Sequence, residues 1–178
     1  MSPSFRANHA IYECVLKPDG VRRYEVYKSP AAALAVSSSA SASTSGAAAA
    51  APVELVAAAV TFGSKVNGHR GIVHGGVASL LYDDAFGFAY FIATSGMMGY
   101  TANLNVNYKT PLPENSEAVI RVFLESIEGR KVKLRARLES KDGTVVYSDA
   151  TALYIVDRSL TKMKLGPELD KLVAKQVA

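Results

Sequence analysis

One cysteine, Cys14, is too few for an internal disulfide, so the sequence carries no oxidised framework and reads as a protein of a reducing, intracellular compartment. Zinc ribbons are excluded by the same count. Histidines number only three, His9, His69 and His74, with no acidic or thiol cluster beside them, and no metal site is expected. Nor is there a dense run of one charge. The 20 basic and 16 acidic residues, net +4, lack the clustered stripe of a nucleic-acid binder and point instead to an anionic small molecule. The apolar stretch at residues 47–62 is interrupted by Pro52 and Glu54 and falls short of the roughly 20 residues a membrane span requires. Before Lys17 the only basic side chain is Arg6, so neither a secretory leader nor an Arg-rich presequence is legible, and the ending Gln176-Val177-Ala178 is not a peroxisomal signal. The expected location is cytoplasmic or organellar, with no readable targeting signal.

What is present is ordinary for one soluble globular domain, with 49% hydrophobic and 20% charged residues. Residues 31–51 are the exception, because 17 of 21 positions are Ala or Ser and the stretch from Ser37 to Gly46 offers no apolar face. We therefore expect a single domain over residues 1–178 with a low-complexity insertion at about 31–51. The remainder is long enough to bury a sizeable core.

Two short runs, Ile11 to Leu16 and Tyr24 to Tyr27, flank Pro18-Asp19-Gly20 and predict a hairpin. Val53 to Phe62 reads as a strand, followed by a glycine-marked loop up to His74. Gly75 to about Thr94 is long, apolar and free of proline, which favours a buried helix. Four runs follow, Tyr100 to Lys109, Ala118 to Ile127, Lys131 to Glu139 and Val145 to Val156, with turn residues between them, and they predict an antiparallel meander. The last run sets Ser148, Ala150 and Ala152 on one face, small enough for a helix to approach closely. Gly166 to Val177 predicts a terminal helix. A hydrophobic helix inserted among antiparallel strands is most simply buried by a sheet that curls around it. That is the α+β hot-dog arrangement; the pattern alone leaves another α+β sandwich open.

The segment Gly71-Ile72-Val73-His74-Gly75-Gly76-Val77-Ala78-Ser79-Leu80-Leu81-Tyr82-Asp83 resembles the His-Gly-Gly helix start of the PaaI-like and THEM4/THEM5-like acyl-CoA thioesterases, with the family's helix aspartate at Asp83. The run Thr101-Ala102-Asn103-Leu104-Asn105-Val106-Asn107-Tyr108-Lys109, followed by Pro111-Leu112-Pro113, is similar to the strand after that helix. The resemblance spans about Gly68 to Val156. Its departures are the Ala/Ser tract and a longer connection around Met97-Met98. It implies a hot-dog hydrolase of acyl-CoA that uses neither metal nor redox cofactor, coenzyme A being part of the substrate, with sites at the interface of a homodimer or dimer of dimers. It also implies that the hydroxyl of Thr101 positions water or the aspartate; read by itself, Thr101 is equally an ordinary β-branched strand residue.

Physical chemistry gives these residues tasks of its own. Gly75 and Gly76, at the positive end of the helix dipole, present backbone N–H groups able to hold a thioester oxyanion, or else only let the helix pass close to a strand. Asp83 shares a face with Gly76 but lies about 10.5 Å along the axis, too far to serve the same carbonyl carbon from one chain. An antiparallel copy of the helix across a two-fold axis would bring Asp83 of one subunit to Gly76 of the other. Asp83 then acts as general base or as nucleophile. Asp84, rotated about 100° away, is the competing carboxylate. His74 either contacts substrate and orients the loop or is a structural histidine. Asn103, Asn105 and Asn107 are expected to share one strand face with Thr101 and Lys109, as a polar interface, with Asn103 a substrate-binding candidate, or as a solvated face. Lys131, Lys133, Arg135 and Arg137 form a cationic row, either solvated or, with Lys109 and Arg130, attracting the phosphates of coenzyme A. The alternatives to a hydrolase are a non-catalytic acyl-CoA binding or assembly module and a hot-dog acyl-thioester dehydratase.

Overall fold

The computed structural model describes residues 11, 15–32, 52–157 and 159. Eight strands and one long helix follow in the order β1 (Val21–Lys28), β2 (Val53–Phe62), β3 (Asn67–His69), β4 (Ile72–Val73), α1 (Gly75–Ala93), β5 (Gly99–Tyr108), β6 (Glu117–Glu128), β7 (Lys131–Ser140) and β8 (Val146–Val156). Six strands form one antiparallel sheet in the order β1-β2-β6-β7-β8-β5. The helix packs against five of them, β2, β6, β7, β8 and β5. This is the hot-dog arrangement expected from the sequence.

Alternation decides which face each strand gives to the helix. On β7, Val132, Leu134, Ala136 and Leu138 are buried while Lys131, Arg135 and Arg137 are exposed. On β8, Ser148, Ala150, Ala152, Tyr154 and Val156 are buried, and the small residues leave room for the helix. The helix fills that space with Ala78, Leu81, Tyr82, Ala85, Phe86, Ala89 and Tyr90. It stops at Ser95 and Gly96, both at positive φ, where the Gly96 N–H donates to Phe91 O at 2.9 Å. No helix among the described residues is long and apolar enough to cross a membrane.

Two local expectations are corrected. Among the described residues β1 pairs with β2 and not with the run from Ile11, of which residues 12–14 lie outside the described residues; Leu16 N–H donates to Ile11 O at 2.7 Å, a turn. Pro18-Asp19-Gly20 docks on the segment after β2 instead, with Gly63 N–H on Gly20 O and Lys65 N–H on Asp19 O. The four later runs are not one meander either. Strands β6, β7 and β8 are consecutive neighbours, but β5 pairs with β8 at the far edge. Residues 109–116 carry the chain across from that edge to the middle of the sheet, with Leu112 O accepting from Val73 N–H just before the helix. A connection holding Pro111 and Pro113 has too few N–H groups to continue a ladder.

Of the Ala/Ser tract only Ala31 and Ala32 lie among the described residues. Ala32 is fully buried, its N–H on Ser29 O at 3.0 Å. The expected terminal helix and Cys14 lie outside them.

Candidate functional site

Helix α1 begins where extended His74 (φ −64°, ψ 129°) turns into Gly75. His74 is the N-cap, and its Nδ1 accepts the Gly76 N–H at 2.8 Å, which requires the Nε2–H tautomer. A donor expected to face substrate is therefore engaged by the ring in front of it. The Gly75 N–H, at the first helical position, has no intrahelical acceptor. Gly75 also meets the close-approach reading, since a Cβ there would lie 3.0 Å from Tyr108 Cζ. Tyr108 Oη donates to Gly75 O at 2.8 Å and lies 2.7 Å from Ser79 Oγ, tying the first turn of the helix to the end of β5.

Two turns further along, Asp83 is half-buried and receives the Thr101 hydroxyl on Oδ1 at 2.9 Å. This contact depends on a β-bulge. Thr101 pairs with Tyr154 and Asn103 with Leu153, so Ala102 is the extra residue and the strand changes face there. Thr101 points to the helix, whereas Asn103, Asn105 and Asn107 continue on the outer face. The expected common face for Thr101 and the three asparagines is corrected on this ground: an unbroken period of two cannot foresee an inserted residue. Tyr154 also reaches the aspartate, its hydroxyl donating to Asp83 O at 3.0 Å and standing 3.4 Å from Oδ1. Sequence reading missed Tyr154, although it extends the inward row of Ser148, Ala150 and Ala152. Asp84, the neighbouring carboxylate, is also half-buried.

A cavity of about 500 Å³ opens at the helix N-terminus, walled by Ile72, Val73, Ala78, Leu112 and Leu138, with His74, Gly75 and Tyr108 at its polar side. Asp83 and Thr101 do not line it. Within one chain, then, the helix-start glycines and the aspartate–threonine pair stand apart, as the helix spacing requires.

The candidate phosphate-binding residues scatter. Lys109 lines the cavity but is ion-paired with Asp149, which also receives Asn107 Nδ2 at 2.9 Å. Lys109 first, and then Asn107, hold the Asp149 carboxyl below the usual aspartate range. Arg130 and Lys131 sit at the β6–β7 turn, where Arg130 Nε donates to Val156 O at 3.0 Å. By strand register that turn is about 20 Å from the Ser148 end of the sheet, where the cavity lies. On the outer face Lys133 pairs with Glu128 at 2.9 Å, Arg137 and Arg121 each meet the buried Glu139 at 2.7 Å, and Arg135 lies 5.3 Å above the Phe123 ring. Much of the cationic row is thus committed to neighbours on its own sheet.

Residues 70–147 match the thioesterase superfamily as a family profile. Among curated proteins, the acyl-coenzyme A thioesterase THEM4 of Bos taurus is 38% identical over 106 residues, which are 60% of this chain and 39% of that protein. The chain thus spans about two fifths of the length of that relative. A solved thioesterase superfamily protein superposes with a TM-score of 0.52 at 30% identity, covering 58% of this chain and 55% of the other. The PaaI protein from the phenylacetic acid degradation operon of E. coli has the same fold, with a TM-score of 0.52 at 14% identity over 57% of this chain and 72% of its own. The resemblance read from the His-Gly-Gly segment is borne out.

Proposed function

We propose, taking the thioesterase-superfamily match of residues 70–147 as premise, that the chain is a single-domain acyl-CoA thioesterase that hydrolyses acyl-CoA to a free carboxylic acid and coenzyme A. The observation that carries this reading is the Thr101 hydroxyl on Asp83 Oδ1 at 2.9 Å, on the same helix whose first turn bears Gly75 and Gly76. A carboxylate held by one oxygen has the other for chemistry, and glycine N–H groups at a helix start suit the oxyanion of thioester addition.

As general base, Asp83 takes a proton from water while the water oxygen bonds to the thioester carbonyl carbon. The carbonyl electrons move to oxygen and are held by N–H donors at the helix start. Collapse of that oxyanion breaks the carbon–sulfur bond, and the coenzyme A thiolate leaves and takes up a proton. Acting as nucleophile, Asp83 bonds to the carbonyl carbon as the carbon–sulfur bond breaks and the coenzyme A thiolate leaves, and water then hydrolyses the resulting anhydride to the free acid and the Asp83 carboxylate. The Gly75 N–H is a ready donor; the Gly76 N–H joins it when the His74 ring turns aside. No metal or redox cofactor enters these steps.

The site is composite in this reading. Asp83 and Gly76 of one chain are about 10.5 Å apart along the helix, and the Asp83–Thr101 pair lies toward the open edge strand β5, where Thr101 is exposed and Tyr100 and Tyr108 are each 56% exposed. A second copy related by a two-fold axis covers that edge and brings its helix start to Asp83, giving a homodimer or a dimer of dimers. In that assembly Arg130, Lys131 and Lys109 attract the coenzyme A phosphates, and Asn103 adds a polar contact. A thiol-release screen across short, long and aromatic acyl-CoA substrates tests the activity. Release from at least one substrate is expected, and none from any of them would overturn it. The Gly76 N–H held by His74 is the observation favouring a non-catalytic acyl-CoA binding module, which tight binding without thiol release would identify.

A further inference from the structure

We infer that Tyr154 is a positioning residue for the Asp83 carboxylate, an inference that rests on the thioesterase reading above. Its hydroxyl donates to Asp83 O at 3.0 Å and stands 3.4 Å from Oδ1, the oxygen that already takes the Thr101 hydroxyl at 2.9 Å. The single Tyr154 proton is shared, mainly with the Asp83 main-chain oxygen and more weakly with Oδ1, so that hydroxyls from β8 and β5 converge on one carboxylate oxygen. Among the described residues no hydrogen bond is made to Oδ2. Fixing Oδ1 turns Oδ2 in one direction, and Oδ2 is the oxygen left to take a proton from water or to attack the thioester.

Tyr154 is itself immobilised. It is 5% exposed, and its ring stacks on Tyr90 with centroids 4.9 Å apart and planes 20° from parallel. Tyr90 is anchored in turn, donating to Met98 O at 3.0 Å over Gly99, where there is no room for a Cβ. Gly99, Tyr90, Tyr154 and Asp83 thus form one packed series from the helix exit to the carboxylate. Burial, with the Asp83 charge beside it, pushes the Tyr154 hydroxyl above the ordinary tyrosine range, so it remains a donor across the working pH. Removing the hydroxyl alone leaves the ring stack intact.

The test is Tyr154→Phe in the full chain, assayed by coenzyme A release. The expected result is a fall in kcat of about tenfold with KM within about twofold, because the loss is one of orientation and not of substrate binding. In an Asp83→Asn background the same substitution is expected to leave the residual rate unchanged, since no carboxylate remains to be oriented. A crystal structure of Tyr154→Phe should show the Asp83 carboxylate in more than one rotamer or turned from Thr101. Unchanged kcat in the wild-type background, an equal loss in both backgrounds, or an Asp83 carboxylate unmoved in the variant would each overturn the inference. A wild-type chain that releases no coenzyme A would overturn the thioesterase reading instead, and the crystal structure of the variant would still decide the role of Tyr154.

Discussion

The Thr101 hydroxyl donates to Asp83 Oδ1 at 2.9 Å because the strand bearing Thr101 skips a residue at Ala102. Without that bulge, Thr101 would fall on the outer face with Asn103, Asn105 and Asn107, and the helix carboxylate would lose its nearest donor. Moving the bulge is therefore a way to separate the two residues without changing either.

Edge strand β5 is held to β8 partly by Asp149, which receives Lys109 and Asn107. Its carboxyl is depressed in the folded protein by Lys109 and then Asn107. A group depressed on folding contributes stability above its unfolded value, about 3.9, and loses it as pH falls through the folded value. Asp149→Asn should therefore melt below wild type at neutral pH, with the gap shrinking from about pH 4 downward. Thermal melts across pH check this, and a gap that persists or widens in acid would contradict it. The pair is partly exposed, so the gap is expected to be small and to shrink in high salt.

Strands β1 and β2 are antiparallel neighbours, with Lys28 opposite Val56, so the ends of the segment joining them are already close. Replacing residues 33–51 by a short Gly/Ser linker, with the buried Ala32 kept, should leave the melting temperature and turnover near wild type, because loop length enters closure entropy only logarithmically. Loss of soluble protein or a large fall in melting temperature would show that the segment packs.

The helix was legible because its cause is local: nineteen residues from Gly75 to Ala93 with no proline and few charges. Strand spans were legible for the same reason, since alternation at Val132, Leu134, Ala136 and Leu138 needs no knowledge of the partner. Strand order was not. Whether β5 joins β6 or β8 depends on the path of residues 109–116, which periodicity does not encode. The bulge at Ala102 was hidden because a period of two reads straight through it, and the engagement of Gly76 by His74 because a histidine cap lacks the usual Ser, Thr, Asp or Asn signal. Asp83, Thr101, Gly75 and Gly76 came from motif and helix geometry together. Tyr154 was within reach of the alternation that picked out Ala150 and Ala152, but nothing in that alternation says that a hydroxyl meets a carboxylate.

Subunit exchange tests whether the site is shared. Gly76→Pro removes one N–H at an early helical position, and the His74 ring, whose Nδ1 would lie 2.9 Å from a Cβ there, has to turn aside to admit it. Mixed with Asp83→Asn, it should yield heterodimers in which one site has both intact elements. Activity is then expected to reappear from two inactive parents, approaching about half the wild-type rate per heterodimer, since one of the two sites is whole. Recovery would be absent if both groups acted from one chain.

The central claim is that the Asp83 carboxylate carries out thioester hydrolysis, and steady-state coenzyme A release by Asp83→Asn tests it most directly. Asparagine keeps the shape and can still accept from Thr101, but it neither takes a proton from water nor attacks as an anion. The expected result is a fall in kcat of at least about a hundredfold in a protein that still folds and assembles. Turnover close to wild type in that variant would contradict the claim.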